Sequence, residues 1–136
     1  MKAKKRLGIW MDHATAYCME YVVDTFEVKT INAEHVSMIN QQPLLQSENA
    51  LHNKEKQILH AYYKSLMEII RGHDEVVLYG PSSAKTELYN LIHANHRFDA
   101  IKIETKSANK MTFKEQHAFI KDYFSKLLNY ESPYNR

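Results

Sequence analysis

The chain has 136 residues, 18 Lys and Arg against 16 Asp and Glu, and a formal net charge of +2, so bulk charge does not mark it as a nucleic-acid binder. That length suits one domain with a continuous core, and 44% hydrophobic with 25% charged residues excludes a disordered chain. With 3 Gly and 3 Pro a loop-rich β-sandwich is disfavoured, and the single Cys18 rules out an intramolecular disulfide and points to a reducing, cytoplasmic setting.

Residues Lys2 to Arg6 form a basic N-terminal arm over positions 1–6. It leads into Leu7-Gly8-Ile9-Trp10-Met11, which reads as a first strand; Asp12 and His13 soon interrupt it, so neither a signal peptide nor a membrane span is expected. Asp12 to Thr15 read as a turn, Ala16 to Val23 as a second strand, and Phe26 to Ile31 as a third with clean period 2. Residues 32–52 carry no strong period. A helix follows from about Asn53 to Arg71, its apolar stripe made by Ile58, Leu59, Tyr62, Leu66, Ile69 and Ile70, with Gly72 at its end.

Val76-Val77-Leu78-Tyr79 is an unbroken apolar and aromatic run, as a strand covered on both faces requires. Gly80-Pro81 turns the chain, Ser82 or Ser83 can cap a helix, and Ala84, Leu88, Leu91 and Ile92 continue it at helical spacing. Ala100 to Glu104 read as a fifth strand. Thr112 and Glu115 form a T-x-x-E capping box at the start of a last helix, whose apolar face is Phe119, Ile120, Tyr123, Phe124, Leu127 and Leu128. Residues 130–136 read as a flexible tail. The order β-β-β-α-β-α-β-α predicts an α/β domain spanning 1–136, with a ribonuclease H-like mixed sheet and helices packed on its faces.

Three patches carry a resemblance: Ile9-Trp-Met-Asp-His-Ala-Thr-Ala-Tyr17, the strand and helix around Gly80-Pro-Ser-Ser-Ala-Lys-Thr-Glu-Leu88, and Ile103-Glu-Thr-Lys-Ser-Ala-Asn-Lys-Met-Thr112. Together they resemble the middle domain of archaeal and eukaryotic peptide-chain release factors and their relative Pelota. They look closer still to short bacterial translational machinery proteins made of this domain alone. The resemblance implies a ribonuclease H-like fold and a link to the ribosome. It does not carry peptide release: the family's Gly-Gly-Gln has no counterpart, because the glycines are Gly8, Gly72 and Gly80. The length leaves no room for the family's flanking domains, so termination activity is not expected.

Residue chemistry points the same way. Gly80 to Thr86 is not a P-loop, since Tyr79 and Ala84 stand where G-x-x-x-x-G-K-[ST] needs glycines and Pro81 removes an N–H. The amides at Ser82 and Ser83, with Lys85, are the expected anion contact. Lys106 and Lys110 are expected to extend it along one edge as an RNA footprint. A metal-dependent nuclease is the rival reading and would need Asp12, Glu20 and Glu104 to converge, although Asp12 reads better as an Asx-turn residue. His93, His96 and Asp99 read as an exposed cluster at a helix end, not a metal site, and no cofactor is expected. The partners implied are the ribosome or RNA and no membrane. A third reading is a protein-interaction module or homo-oligomer using exposed tyrosines among the 9 Tyr.

Overall fold

Val76, Val77, Leu78 and Tyr79 lack a polar break because helices cover both faces of the strand they form; each is at most 2% exposed. The computed structural model describes residues 4–22, 24–39 and 48–131. Its strands are β1 (Arg6–Met11), β2 (Thr15–Glu20), β3 (Lys29–Asn32), β4 (Glu75–Gly80) and β5 (Lys102–Ser107), in the sheet order β3-β2-β1-β4-β5. The pairs β1–β2 and β2–β3 are antiparallel, whereas β1–β4 and β4–β5 are parallel. The helices are α1 (Ala33–Ile39), α2 (Glu48–Ile70), α3 (Ala84–His93) and α4 (Phe113–Glu131), with a short 3-10 turn at His96–Phe98.

The period-2 alternation of the strands divides the core in two. Leu7, Ile9, Met11, Cys18, Val76 and Leu78 pack with Tyr62, Leu66 and Ile70 of α2 and Leu88 and Ile92 of α3. Trp10, Met19, Val77 and Tyr79 face the other way, onto Ile120 and Phe124 of α4. The result is a mixed α/β layering with the sheet between α2 and α3 on one side and α4 on the other. Each large apolar side chain so buried contributes about 1.5–3 kcal/mol of transfer free energy, offset by ordering entropy.

Several boundaries differ from the sequence expectation, each for a physical reason. β3 starts at Lys29, not Phe26, because the Phe26 ring leaves the ladder to pack on His117 of α4, centroids 5.0 Å apart. β2 ends at Glu20, and β5 is displaced to Lys102–Ser107 because Tyr79 and Gly80 pair with Lys106 and Ser107. The unreadable region contains α1, whose start is capped by Asn32: its Oδ1 accepts from the N–H groups of Glu34 at 3.0 Å and His35 at 3.2 Å. Residues 40–47 lie outside the described residues, as does the tail beyond Glu131. The capping box before α4 is formed as expected. Glu115 N–H donates to Thr112 Oγ1 at 3.2 Å, and Thr112 N–H donates to Glu115 Oε1 at 2.8 Å.

Two further expectations are revised. Described residues of the basic arm are tied to the sheet: Arg6 Nε lies 2.8 Å and Lys4 Nζ 3.4 Å from the carboxylate of Glu75. Among described side chains no tyrosine is exposed; Tyr62, Tyr63 and Tyr79 are buried, and Tyr17, Tyr21, Tyr89 and Tyr123 are half-buried. The Tyr79 hydroxyl has no hydrogen-bond partner among the described residues, which costs about 1–3 kcal/mol. Cys18 is a small buried hydrophobe, with burial pushing its thiol up to about 12 against the opposing pull of Lys29.

Candidate functional site

The parallel strands β1, β4 and β5 end on one edge, where open α/β sheets characteristically bind ligands. Three connections meet there: the β1–β2 turn, the Pro81–Ser83 turn and the segment from Ala108 to Thr112. Gly80 makes the meeting possible. Its φ is +154°, and a Cβ at this position would overlap the backbone carbonyl of Met11 on β1. Its own carbonyl accepts from Ala108 N–H at 3.1 Å, which ties the β5–α4 connection to the same point.

Of the groups around the expected anion contact, the Lys85 ammonium and the Ser82 and Ser83 hydroxyls have partners inside the protein. Lys85 is 8% exposed, on the buried stripe of α3 with Leu88 and Ile92, and its Nζ donates to the Ser82 carbonyl at 2.6 Å. It is therefore not the solvated cation that its place in the turn suggests. Ser82 Oγ accepts weakly from Ala84 N–H at 3.3 Å, and Ser83 Oγ donates to Glu87 Oε2 at 3.1 Å. Glu87, in the first turn of α3, places the protein's own carboxylate near the helix dipole's positive end.

Glu87 is the centre of a polar cluster that the sequence reading missed. Tyr63 of α2 donates to its Oε1 at 2.6 Å, and His13 Nε2 from the β1–β2 turn lies 3.1 Å from Oε2. The hydrogen bond from Tyr63 leads in holding this carboxyl below its usual range, with those from His13 and Ser83 adding to it and burial opposing. Beside it, Tyr62 donates to the Asp12 carbonyl at 2.9 Å. A carboxylate depressed in the folded state adds stability above its unfolded titration range and loses it as pH falls through the folded one. Because Glu87 is 43% exposed, Glu87→Gln is expected to cost only about 1 kcal/mol near neutrality. The deficit should close on acidification, and denaturant melts of both proteins across the acid range measure it.

The three candidate carboxylates do not converge. Asp12 Oδ1 accepts the N–H groups of Ala14 and Thr15, each at 2.8 Å, which is the Asx-turn role. Glu20 pairs with Leu7 at the opposite end of β1, and its Oε1 lies 2.7 Å from His73 Nε2. Glu104 pairs with Val77, in the row facing α4, and accepts from Tyr123 at 2.6 Å. Leu7 and Val77 belong to opposite faces, so Glu20 and Glu104 are separated by the sheet itself. Two-metal hydrolysis needs carboxylates around ions about 4 Å apart, and these three do not supply that arrangement. His93 stacks on Tyr89, centroids 5.5 Å apart, while His96 pairs with Asp99 in the open at 3.2 Å.

Lys106 and Lys110 fall on a different surface from Lys85. Lys106 pairs with Tyr79 in the α4-facing row, its Nζ 3.7 Å from Glu104, whereas Lys85 lies under α3 on the other face. Lys110 lines a groove of about 480 Å³ with Trp10, Asp12, Tyr17 and Phe113. Trp10 Nε1 donates to the Asn109 carbonyl at 3.1 Å and so fixes the lysine-bearing segment against β1. The sequence contains the signal for this groove: Trp10 and Tyr17 are directly opposed in the first hairpin.

Among solved structures, the chain matches the Thermoplasma acidophilum Pelota protein over 86% of its own length and 32% of that chain, with a TM-score of 0.56 at 11% identity. It matches an archaeal translation termination factor, aRF1, over 96% of its own length and 42% of that chain, with a TM-score of 0.53 at 11% identity. It shares a fold with both. The resemblance to the release-factor and Pelota middle domain thus holds at the level of the fold, and the chain spans less than half the length of either protein. No protein-family model and no curated protein matches the sequence.

Proposed function

We propose that this chain is a non-catalytic, translation-associated protein that binds the ribosome or structured RNA and does not release peptides. The observation that carries this is the fold it shares, over 96% of its length, with a translation termination factor. The sheet order β3-β2-β1-β4-β5, with its antiparallel first three strands, supports reading that fold as ribonuclease H-like. The lack of adjacent glycines removes the Gly-Gly-Gln on which release by the family depends. Lys106 and Lys110 are its phosphate contacts, and Lys85, Ser82 and Ser83 act by holding the Pro81–Ser83 turn. Among the described residues no helix is long and apolar enough to cross a membrane, in keeping with work in the cytoplasm.

Sucrose-gradient fractionation of cell extract tests the reading. The protein is expected to travel with ribosomal particles at low salt and to leave them as salt rises, since phosphate contacts weaken steeply with ionic strength. A protein confined to the top of the gradient at low salt, both in growth and under stress, overturns ribosome binding.

A further inference from the structure

We propose that the groove between the first hairpin and the start of α4 is a stacking site for an unpaired RNA base, with Phe113 as its platform and Lys110 and Lys114 as its phosphate contacts. This deepens the RNA-binding reading and rests on it. Three aromatic rings form a continuous series there. Trp10 and Tyr17 lie with centroids 5.6 Å apart, and Tyr17 meets Phe113 edge-on at 5.1 Å. Trp10 is 5% exposed and anchors the series in the core, whereas Phe113 is 43% exposed. An aromatic ring left open at the first residue of a helix, when α4 has a buried face available, is the feature that core packing does not explain.

Charge selects the occupant. Residues 106–114 contain Lys106, Lys110 and Lys114 and no acidic residue. Lys110, which lines the groove, and Lys114, next to Phe113 in sequence, are both exposed. Among the described residues Asp12 is the one carboxylate lining the groove, and its Oδ1 accepts from two turn amides. Glu115, the next acid in sequence, is folded back onto the Thr112 N–H. An apolar peptide would gain nothing from the Lys110 ammonium that lines the groove. A nucleotide uses both parts, its base stacking on the aromatic ring and its phosphates meeting the lysines. The groove's 480 Å³ falls within the roughly 300–1,000 Å³ typical of ligand clefts. A paired base cannot present its face to Phe113, so the site selects single strands, loops and bulges over duplex.

Trp10 is the chain's only tryptophan and lines the groove, so its fluorescence reports directly on occupancy. Titrating the full chain with a mixed-sequence single-stranded RNA and with a blunt RNA duplex of equal phosphate count separates the possibilities. Quenching by the single strand, with affinity falling about tenfold in Phe113→Ala and restored in Phe113→Tyr, supports the site. Lys110→Gln should weaken binding to both RNAs and lower the salt slope by about 1. If single strand and duplex bind alike and Phe113→Ala changes neither, the stacking site is overturned while RNA binding stands. If neither RNA binds at low salt, both readings are overturned. Should Phe113→Ala fail to fold, Trp10 quenching and the Lys110→Gln salt slope still decide the question.

Discussion

Replacing Gly80 by alanine is expected to destabilise the protein by about 3 kcal/mol or more, combining strain at a positive φ with overpacking. At φ +154° an L side chain is strained, and the added Cβ would overlap the Met11 carbonyl, which belongs to the β1 backbone and has no rotamer by which to move aside. Relief would require β4 to separate from β1 at their shared edge, breaking the register that pairs Trp10 with Tyr79. A loss of that size should lower the midpoint of thermal unfolding by about 10 °C for a domain of this length. Gly72→Ala is the control. Gly72 has no positive φ, a Cβ there would lie 3.6 Å from the Ile69 carbonyl in ordinary contact, and the variant should stay within about 0.5 kcal/mol of wild type. Equal effects from the two substitutions would show that close approach at Gly80 is not what matters. Because Gly80 also anchors Ala108, Gly80→Ala should loosen the segment that carries Lys110 even where the sheet survives.

The same contrast explains how far the sequence could be read. The strand and helix around Gly80 were legible because an unbroken apolar run, a Gly-Pro turn and helical spacing all agree locally. Gly72 follows α2, which ends at Ile70, as its place in the sequence predicts, and its backbone closes the helix without a positive φ. α1 has no strong apolar period, and its sequence signal is the capping Asn32 two residues ahead of Glu34. Lys85 is expected to face an anion from its place after the turn, yet its spacing to Leu88 and Ile92 puts it on the buried stripe of α3. What local pattern cannot supply is pairing parity. Glu20 and Glu104 fall on opposite faces only because one pairs with Leu7 and the other with Val77. The Tyr63–Glu87–His13 cluster likewise joins three elements, His13 and Glu87 being 74 positions apart. The aromatic groove lies between these cases: its hairpin half is a local pairing, but Phe113 joins Tyr17 only through the packing of α4 on the sheet.

Arg6→Met is expected to cost about 3 kcal/mol, because it leaves a buried carboxylate without its closest cation. Glu75 is 3% exposed at the start of β4, and the Arg6 guanidinium, directly opposite on β1, meets it at 2.8 Å. Lys4 also reaches Glu75, but at 3.4 Å and with its own side chain 59% exposed, where screening leaves such a contact worth at most about 1 kcal/mol. Glu75→Met should cost less, since Arg6 can turn toward water once its partner has gone. In the double variant Arg6→Met, Glu75→Met, both desolvated charges are replaced by side chains that can pack, and stability should return to within about 1 kcal/mol of wild type. Denaturant unfolding of all four proteins closes the cycle and isolates the coupling of the pair. A double variant as unstable as the sum of the singles would mean that Arg6 and Glu75 act independently. Near-recovery instead would mark the pair as a device of register: Arg6 faces Glu75 only when β1 and β4 are aligned as observed, and that alignment also sets Gly80 against Met11 and brings together the edge where the proposed RNA site is built.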